Sequence, residues 1–228
     1  MNIQGFQKLT LLDYPGRTAC TVFTGGCNLR CPFCHNADLV RTPMAGPNLT
    51  DEVLTYLARR QGILDGVCIT GGEPLLQPDL VDFIRQVKEL GYGVKLDTNG
   101  SLPDRLAALL DTGLVDYVAM DVKSSPAGYA AVAGVDTEWT VFDRSIRILR
   151  DSGVNHEFRT TAVGGLHTPE DFAAIGGWLA GTSAYYIQRF VDSGRLLGEG
   201  FYPFSVAEME HLLTVVRERI PTAQLRGC

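Results

Sequence analysis

The sequence predicts an α/β fold built on a parallel β-sheet, arranged either as an open doubly wound sheet or as a full or partial barrel. The first observation behind this prediction is a series of short apolar runs with β-rich composition. The second is that amphipathic segments with helix signals separate these runs. Buried parallel strands have this continuous apolar character. The length of 228 residues predicts one domain spanning residues 1–228.

The predicted strands alternate with segments long enough to form helical crossovers, which is why the sheet is expected to be parallel. In chain order the strands are Thr18–Phe23, Gly66–Thr70, Gly93–Asp97, Val115–Met120, Asn155–Thr160 and Ala184–Phe190.

Two of the predicted helices have clear N-terminal signals. Thr168-Pro169-Glu170-Asp171 places a capping threonine before a proline at the first helical position. Ser205-Val206-Ala207-Glu208 has the pattern of a capping box and leads into apolar residues at helical spacing. The other helices are predicted near Thr50–Arg60, Pro78–Leu90, Pro103–Asp111 and Val141–Asp151. Thr42–Asn48, with two prolines and a glycine, is predicted to be a loop within the domain.

Composition and charge narrow the functional classes. The formal net charge of −6 argues against broad attraction to nucleic acid or to acidic membrane lipid, so neither is expected as a partner. The first ten residues are polar where a secretory signal needs an apolar core, and no later run reaches membrane-spanning length. A cytoplasmic protein is expected. Six cysteines are too few for a disulfide scaffold in a chain of this length, so they favour metal or redox chemistry.

Three of the cysteines, Cys27, Cys31 and Cys34, lie in the loop that follows the first predicted strand. Three thiolates can ligate three irons of a cubane cluster and leave the fourth iron open to a substrate. Gly25 and Gly26 would let the backbone approach such a cluster closely.

Two alternatives use the same residues. Cys27, Cys31, Cys34 and His35 could form a structural Cys3His zinc site. Cys31-Pro32-Phe33-Cys34-His35 also matches the C-x-x-C-H pattern of haem attachment. The additional Cys27 and the expected absence of an export signal count against haem.

Polar motifs end the next three predicted strands, where a barrel would place its chemistry. They are Thr70-Gly71-Gly72-Glu73-Pro74, Asp97-Thr98-Asn99-Gly100 and Asp121-Val122-Lys123. Asp97 and Asp121 would repel each other unless they are paired or bridged by a cation. The alternatives without a functional role are a glycine turn with a solvated Glu73 and a surface ion pair between Asp121 and Lys123.

The spacing Cys27-x-x-x-Cys31-x-x-Cys34 resembles the signature of the radical S-adenosylmethionine superfamily. The wider stretch, Asp13-Tyr14-Pro15-Gly16 and then residues 23–36, resembles its glycyl-radical-enzyme activases, especially the anaerobic ribonucleoside-triphosphate reductase activating proteins. The resemblance implies an α/β fold with a single-domain partial (β/α)6-type TIM-like barrel. It also implies a [4Fe-4S] cluster on the three cysteines, S-adenosyl-L-methionine as cofactor and a monovalent cation beside the carboxylate of that cofactor.

The same resemblance assigns the remaining site residues. Phe33 and His35 are expected to pack on adenine, and the Gly71-Gly72-Glu73 motif to contact the methionine part. Asp97 and Asp121 are expected to share the cation. The other expected cofactor contacts are Thr98, Asn99, Lys123 and Gln188.

The predicted function is therefore that of an iron-sulfur oxidoreductase, an activase that cleaves S-adenosylmethionine reductively and installs a glycyl radical on a partner. The expected partner is the large subunit of anaerobic ribonucleotide reductase, and the expected reductant is of the flavodoxin or ferredoxin type. One alternative is a radical enzyme acting on a small molecule, similar to deazapurine-forming synthases. The other is a noncatalytic iron-sulfur electron-transfer protein, which would leave Glu73, Asp97 and Asp121 without a role. Cys20 and Cys68 are predicted to be core thiols.

Overall fold

The computed structural model describes residues 1–41, 46–192 and 194–227. One sheet contains eight strands in chain order. The strands are β1 (Ile3–Thr10), β2 (Ala19–Thr24), β3 (Gly66–Gly71), β4 (Gly93–Thr98), β5 (Tyr117–Asp121), β6 (Asn155–Ala162), β7 (Tyr185–Arg189) and β8 (Gln224–Arg226). Strands β2 to β8 pair in parallel, each with the next along the chain, whereas β1 pairs antiparallel with β2.

The six predicted strands are confirmed as β2 to β7, and the α/β class with a mostly parallel sheet is confirmed with them. The predicted number of strands is corrected, because the sheet also contains β1 and β8 at its two edges. Strand β1 was not predicted, because Gln4, Gln7 and Lys8 give it the polar composition of a loop. Strand β8 has three residues, too few for a sequence pattern.

Eight α-helices and one short 3-10 helix, Pro74–Leu76, are found in the described residues. The α-helices are α1 (Ala37–Arg41), α2 (Thr50–Ala58), α3 (Leu80–Glu89), α4 (Pro103–Leu110), α5 (Tyr129–Ala133), α6 (Trp139–Asp151), α7 (Pro169–Trp178) and α8 (Val206–Arg217). Both predicted N-terminal signals are confirmed, since Thr168 and Ser205 each form a capping box with the residue three positions later. The short helices α1 and α5 were not predicted. Of the predicted loop at 42–48, residues 42–45 lie outside the described residues, as does Cys228.

The sheet has one apolar and one polar face, because side chains alternate along each strand. The apolar face is formed by residues such as Val67, Val94, Ile69, Leu96 and Val118, all fully buried against the helices. Cys20 belongs to this face because it is in register with Val67, and its predicted burial is confirmed.

The polar face carries Cys68, Lys95, Asp97, Asp121 and Arg159, which strand alternation and register place on one side of the sheet. Cys68 is buried as predicted, but its sulfur lies 3.8 Å from the Nζ of Lys95 and so has a charged neighbour. The polar face therefore puts charged side chains inside the molecule, below the carboxyl ends of the strands.

At its far edge the polar face ties β8 to β6. The carboxylate of Glu157 is fully buried and accepts two hydrogen bonds from the Arg226 guanidinium, at 2.8 and 3.1 Å. The hydroxyl of Tyr117 donates a third, at 3.0 Å. The guanidinium carbon of Arg226 also lies 3.8 Å from the ring centroid of Tyr186. Such a bidentate, stacked arginine fixes the last strand to the sheet.

Among the described residues, no helix is long and apolar enough to cross a bilayer.

Candidate functional site

An open cavity lies at the carboxyl ends of the strands. It brings together the three clustered cysteines and most of the other predicted site residues, which are Phe33, His35, Gly71, Gly72, Asp97, Thr98, Asn99, Asp121 and Lys123. Glu73 and Gln188 do not line it. The cavity therefore joins the loops after β2, β3, β4 and β5, which lie far apart in the sequence.

The cysteine loop places its thiols around one wall of the cavity. Cys31 is buried, and Cys27 and Cys34 are half-buried. The backbone N–H of Leu29 donates to the Cys27 sulfur at 3.4 Å. Burial raises the pKa of Cys27 and raises that of Cys31 to about 11, although the nearby Lys123 ammonium acts in the opposite direction.

The arrangement of these thiols bears on the zinc alternative. In the described part of the chain, no three His, Cys, Asp or Glu side chains are grouped closely enough to hold a single metal ion. Cys27, Cys31 and Cys34 nevertheless line the same cavity. Three thiolates around one cavity match the ligand set of a cubane cluster, whereas the zinc alternative also requires His35, which lines the same cavity.

The glycines of the loop after β3 allow it to contact the cysteine loop directly. A Cβ atom on Gly72 would lie 1.9 Å from the carbonyl oxygen of Gly26, and one on Gly71 would lie 2.3 Å from the backbone nitrogen of Thr24. The N–H of Glu73 donates to the Gly26 carbonyl at 2.8 Å. Only residues without side chains permit this approach. The predicted contact of Gly71 and Gly72 with the cofactor stays a prediction.

The Glu73 carboxylate is fully buried behind this loop, so it is not the solvated side chain of a simple turn. One oxygen accepts from the N–H of Leu75 at 3.1 Å and the hydroxyl of Thr98 at 2.9 Å. The other accepts from the N–H of Asn99 at 2.7 Å. Burial raises the pKa of Glu73 to about 7 against the opposing effect of these donors. Glu73 thus joins the loops after β3 and β4, and its predicted cofactor contact stays a prediction.

Asp97 and Asp121 are bridged by a side chain that the sequence analysis did not identify. The Arg159 guanidinium lies 3.3 Å from an oxygen of Asp97 and 3.0 Å from one of Asp121. Lys95, nearly fully buried, pairs with Asp97 as well. These contacts hold the two carboxylates together without an added ion. The predicted monovalent cation stays a prediction. It is no longer needed to explain how the two neighbouring carboxylates avoid repelling each other.

The positive charges also act on the ionisation of Asp121. Burial alone would raise the pKa of this carboxyl, but Arg159 and Lys123 outweigh burial and lower the pKa to about 2. Asp121 is therefore charged at neutral pH.

The sequence contained one signal for the basic residues that pair with these aspartates. Lys95 and Arg159 lie inside predicted apolar strands, where an unpaired charge is costly, so each needs an acidic partner.

Lys123 is held on the cavity wall by its side chain and its backbone. Its Nζ donates to Asp121 at 3.0 Å, and the side chain is 19% exposed, so the pair is not a surface ion pair. Burial lowers the pKa of Lys123, but the Asp121 carboxylate overrides burial and raises it. His167, which the sequence analysis did not assign to the site, donates from Nε2 to the Lys123 carbonyl at 2.8 Å. A fixed ammonium group therefore borders the cavity.

The remaining predicted residues lie at the side of the cavity. Phe33 is buried and its ring lies 6.4 Å from that of His167. His35 is exposed, with its ring 5.4 Å from that of Phe190. Gln188 is half-buried on β7, in register with Thr161 of the cavity lining. Its cofactor contact stays a prediction.

Comparison with known proteins is consistent with this geometry. The family model described as the radical SAM superfamily matches residues 21–179. A Methanocaldococcus jannaschii protein provisionally named as a glycyl-radical enzyme activating enzyme is 31% identical over 194 residues, covering 82% of this chain and 79% of that protein. The 7-carboxy-7-deazaguanine synthase of Methanopyrus kandleri is 31% identical over 219 residues, covering 78% and 84%.

The fold is also similar to a solved structure. Streptococcus suis SuiB bound to its precursor peptide SuiA superposes with a TM-score of 0.66 at 19% identity, and the match covers 91% of this chain and 48% of SuiB. At this identity the likeness describes the fold alone.

Proposed function

Because the chain belongs to the radical SAM superfamily, we propose that it is an activase that installs a glycyl radical on a partner enzyme. The cofactors of this family are a [4Fe-4S] cluster and S-adenosyl-L-methionine. The three thiols that line one cavity fit the cluster, since three thiolates ligate three irons of a cubane and leave the fourth open. When bound, the cluster supplies the electron that cleaves S-adenosylmethionine to methionine and a 5′-deoxyadenosyl radical.

The residues of the cavity suit the other end of this cofactor. The Lys123 ammonium stays charged at neutral pH and borders the cavity, where it can pair with a carboxylate such as that of S-adenosylmethionine. Asp121 fixes the position of this ammonium at 3.0 Å. Buried Leu29 and Phe33 on the cavity wall exclude water from a carbon radical that attacks most C–H bonds.

The substrate we propose is the α-carbon of a glycine in a partner protein. Transfer of one hydrogen atom from that carbon to the 5′ carbon would give 5′-deoxyadenosine and the glycyl radical. The observation that carries this proposal is the identity, over most of both chains, to the protein provisionally named as a glycyl-radical enzyme activating enzyme. The resemblance of residues 13–16 and 23–36 favours the large subunit of anaerobic ribonucleotide reductase as partner, with a flavodoxin or ferredoxin as reductant. A cytoplasmic location follows from this proposal.

The test is to incubate the reconstituted, reduced protein with S-adenosylmethionine and that subunit. Electron paramagnetic resonance would detect the glycyl radical, and chromatography would measure 5′-deoxyadenosine. Cys31→Ala should lose iron, sulfide and both products, because it removes one of three ligands. Cys20→Ala is the matched control and should keep all of them, since Cys20 is buried on the apolar face of the sheet.

The second candidate is action on a small molecule. It is favoured by the equal identity to a 7-carboxy-7-deazaguanine synthase, which covers 84% of that enzyme. Formation of 5′-deoxyadenosine without any glycyl radical, together with 7-carboxy-7-deazaguanine as product in the assay for that synthase, would replace the activase proposal with this one. No cleavage of S-adenosylmethionine by the cluster-loaded protein would favour a noncatalytic electron-transfer protein.

A further inference from the structure

Asn99 lies between the loop after β4 and the cysteine loop. Its side-chain Nδ2 is 3.7 Å from the Cys27 sulfur and 3.1 Å from the side-chain oxygen of Asn28. The residue is buried, and its backbone N–H is held by the Glu73 carboxylate at 2.7 Å. The side-chain amide is therefore an N–H donor fixed beside one of the three clustered thiols.

The orientation of this amide is determined by its other contacts. The backbone N–H of Ser101 donates to the Asn99 side-chain oxygen at 2.9 Å, and the Ser101 hydroxyl donates to the same oxygen at 2.5 Å. Because a backbone N–H can only donate, the oxygen of the amide must face Ser101. The amino group must then face Cys27 and Asn28.

Cys27 thereby receives two N–H donors, from the Asn99 side chain and from the Leu29 backbone at 3.4 Å. Addition of an electron to an iron-sulfur cluster increases the negative charge on its sulfur ligands. N–H donors to those sulfurs therefore stabilise the reduced form more than the oxidised form and raise the reduction potential.

We propose that Asn99 tunes the reduction potential of the cluster through the hydrogen bond from its amide to the Cys27 sulfur. This role differs from the cofactor contact predicted from the sequence, because it acts on a cluster ligand. Glu73 supports it by holding the Asn99 backbone. The inference rests on the cluster and is independent of which partner or substrate is used.

The test is a redox titration of the reconstituted full-length protein without S-adenosylmethionine, monitored by electron paramagnetic resonance. Asn99→Leu removes the donor at similar volume, so the potential should become more negative. The ratio of reduced to oxidised cluster at a fixed potential should fall by at least about threefold. Asn99→Asp keeps the shape but replaces the donor with an acceptor, and it should shift the potential in the same direction at least as far.

Two control variants isolate the sulfur contact. Asn36 also lines the cavity, but its Nδ2 donates to the Gly71 carbonyl at 3.2 Å, so Asn36→Leu should leave the potential unchanged. Ser101→Ala keeps the backbone donor that orients Asn99 and should also leave it unchanged. A wild-type potential in Asn99→Leu, or an equal shift in Asn36→Leu, would overturn the inference. If Asn99→Leu assembles no cluster, Asn99→Asp provides the test: a more negative potential supports the inference, and a wild-type potential overturns it. A shifted potential in a protein that activates no partner would leave this inference intact and remove only the activase proposal.

Discussion

At the scale of single residues, Glu73 combines a buried carboxylate with three hydrogen-bond donors. Burial raises its pKa from 4.5 to about 7, although the donors from Asn99, Leu75 and Thr98 act in the opposite direction. Because the folded pKa lies above the unfolded value, the neutral carboxyl favours the folded state. This contribution is fully present below about pH 4.5 and is lost as the pH rises through about 7.

Glu73→Gln should therefore remove a pH-dependent part of the stability. Glutamine stays neutral, but its amino group must face a backbone or hydroxyl donor, so at low pH the variant should be less stable by about 1–3 kcal/mol. The difference in Tm from the wild type should narrow between pH 5 and pH 8, because only the wild type loses stability there. Thermal unfolding of both proteins between pH 5 and pH 8 measures this difference in Tm.

Glu89→Gln is the control, since Glu89 is exposed on α3 and should show no such trend. A difference between Glu73→Gln and wild type that is the same at every pH would mean that Glu73 does not change its charge in this range.

The residues of the site were predictable from sequence where they end a strand and not where they lie within one. Asp97 and Asp121 follow apolar runs and were identified in that way. Arg159 is 62 residues from Asp97, and only the pairing of β4, β5 and β6 brings their side chains together. A local pattern contains no information about such register, so the sequence predicted only that the two carboxylates are paired or bridged by a cation, and the resemblance favoured the cation.

At the scale of secondary-structure elements, the cysteine loop and the loop after β3 can be in contact because glycines, which have no side chain, lie where they meet. Gly72→Ala would place a Cβ atom 1.9 Å from the Gly26 carbonyl, so one of the two loops must move. We expect this variant to be less stable by about 1–3 kcal/mol, the usual cost of overpacking. Because the displaced loop carries the cysteines, its content of iron and sulfide after reconstitution should fall by about threefold or more. Metal and sulfide analysis measures the loss.

Gly177→Ala provides a matched control. Gly177 lies in α7, and a Cβ atom there would meet nothing within 4 Å. Alanine should keep the iron content and leave the stability equal or higher by about 0.5–1 kcal/mol. Full iron content in Gly72→Ala would show that the two loops can separate without harm to the site.

The elements themselves were predictable wherever burial imposes a pattern. Strands β2 to β7 are covered on their apolar face, so their sequences are apolar enough to be found. Strands β1 and β8 do not show this pattern. Each lies at an edge of the sheet, where it pairs with only one strand and tolerates polar residues. Helices α1 and α5 have five residues each, which is too short for helical periodicity.

At the scale of the whole molecule, the polar face ties the end of the chain to its middle. Arg226 of β8 donates from both terminal guanidinium nitrogens, Nη1 and Nη2, to Glu157 of β6. Glu157 has no exposed surface, and its carboxylate accepts hydrogen bonds from this arginine and from the Tyr117 hydroxyl. At this edge of the sheet a charge pair thus adds to the apolar contacts of Ala223 and Leu225 with the core.

Arg226→Ala should lower the free energy of unfolding by about 2–4 kcal/mol, because it leaves a buried carboxylate without its counter-charge and Arg226 itself is only about one third exposed. Chemical denaturation of the full-length chain measures the change. Arg85→Ala is the control, since Arg85 pairs with Asp82 at an exposed site on α3 and should cost less than about 1 kcal/mol. Equal effects of the two variants would contradict a structural role for the β6–β8 tie.

The position of the cysteines in the chain also bears on how the enzyme is made. Cys34 leaves the ribosome before Thr161 of β6, which lines the same cavity, and 161 − 34 = 127 residues separate them. At about 5–20 residues per second, that stretch takes roughly 6–25 s to synthesise. During this interval the cavity wall is incomplete, because the ends of β4, β5 and β6 that line it are synthesised one after another. The cavity that contains the three thiols is therefore complete only after most of the chain has been translated, so we expect cluster insertion to follow the synthesis of β6.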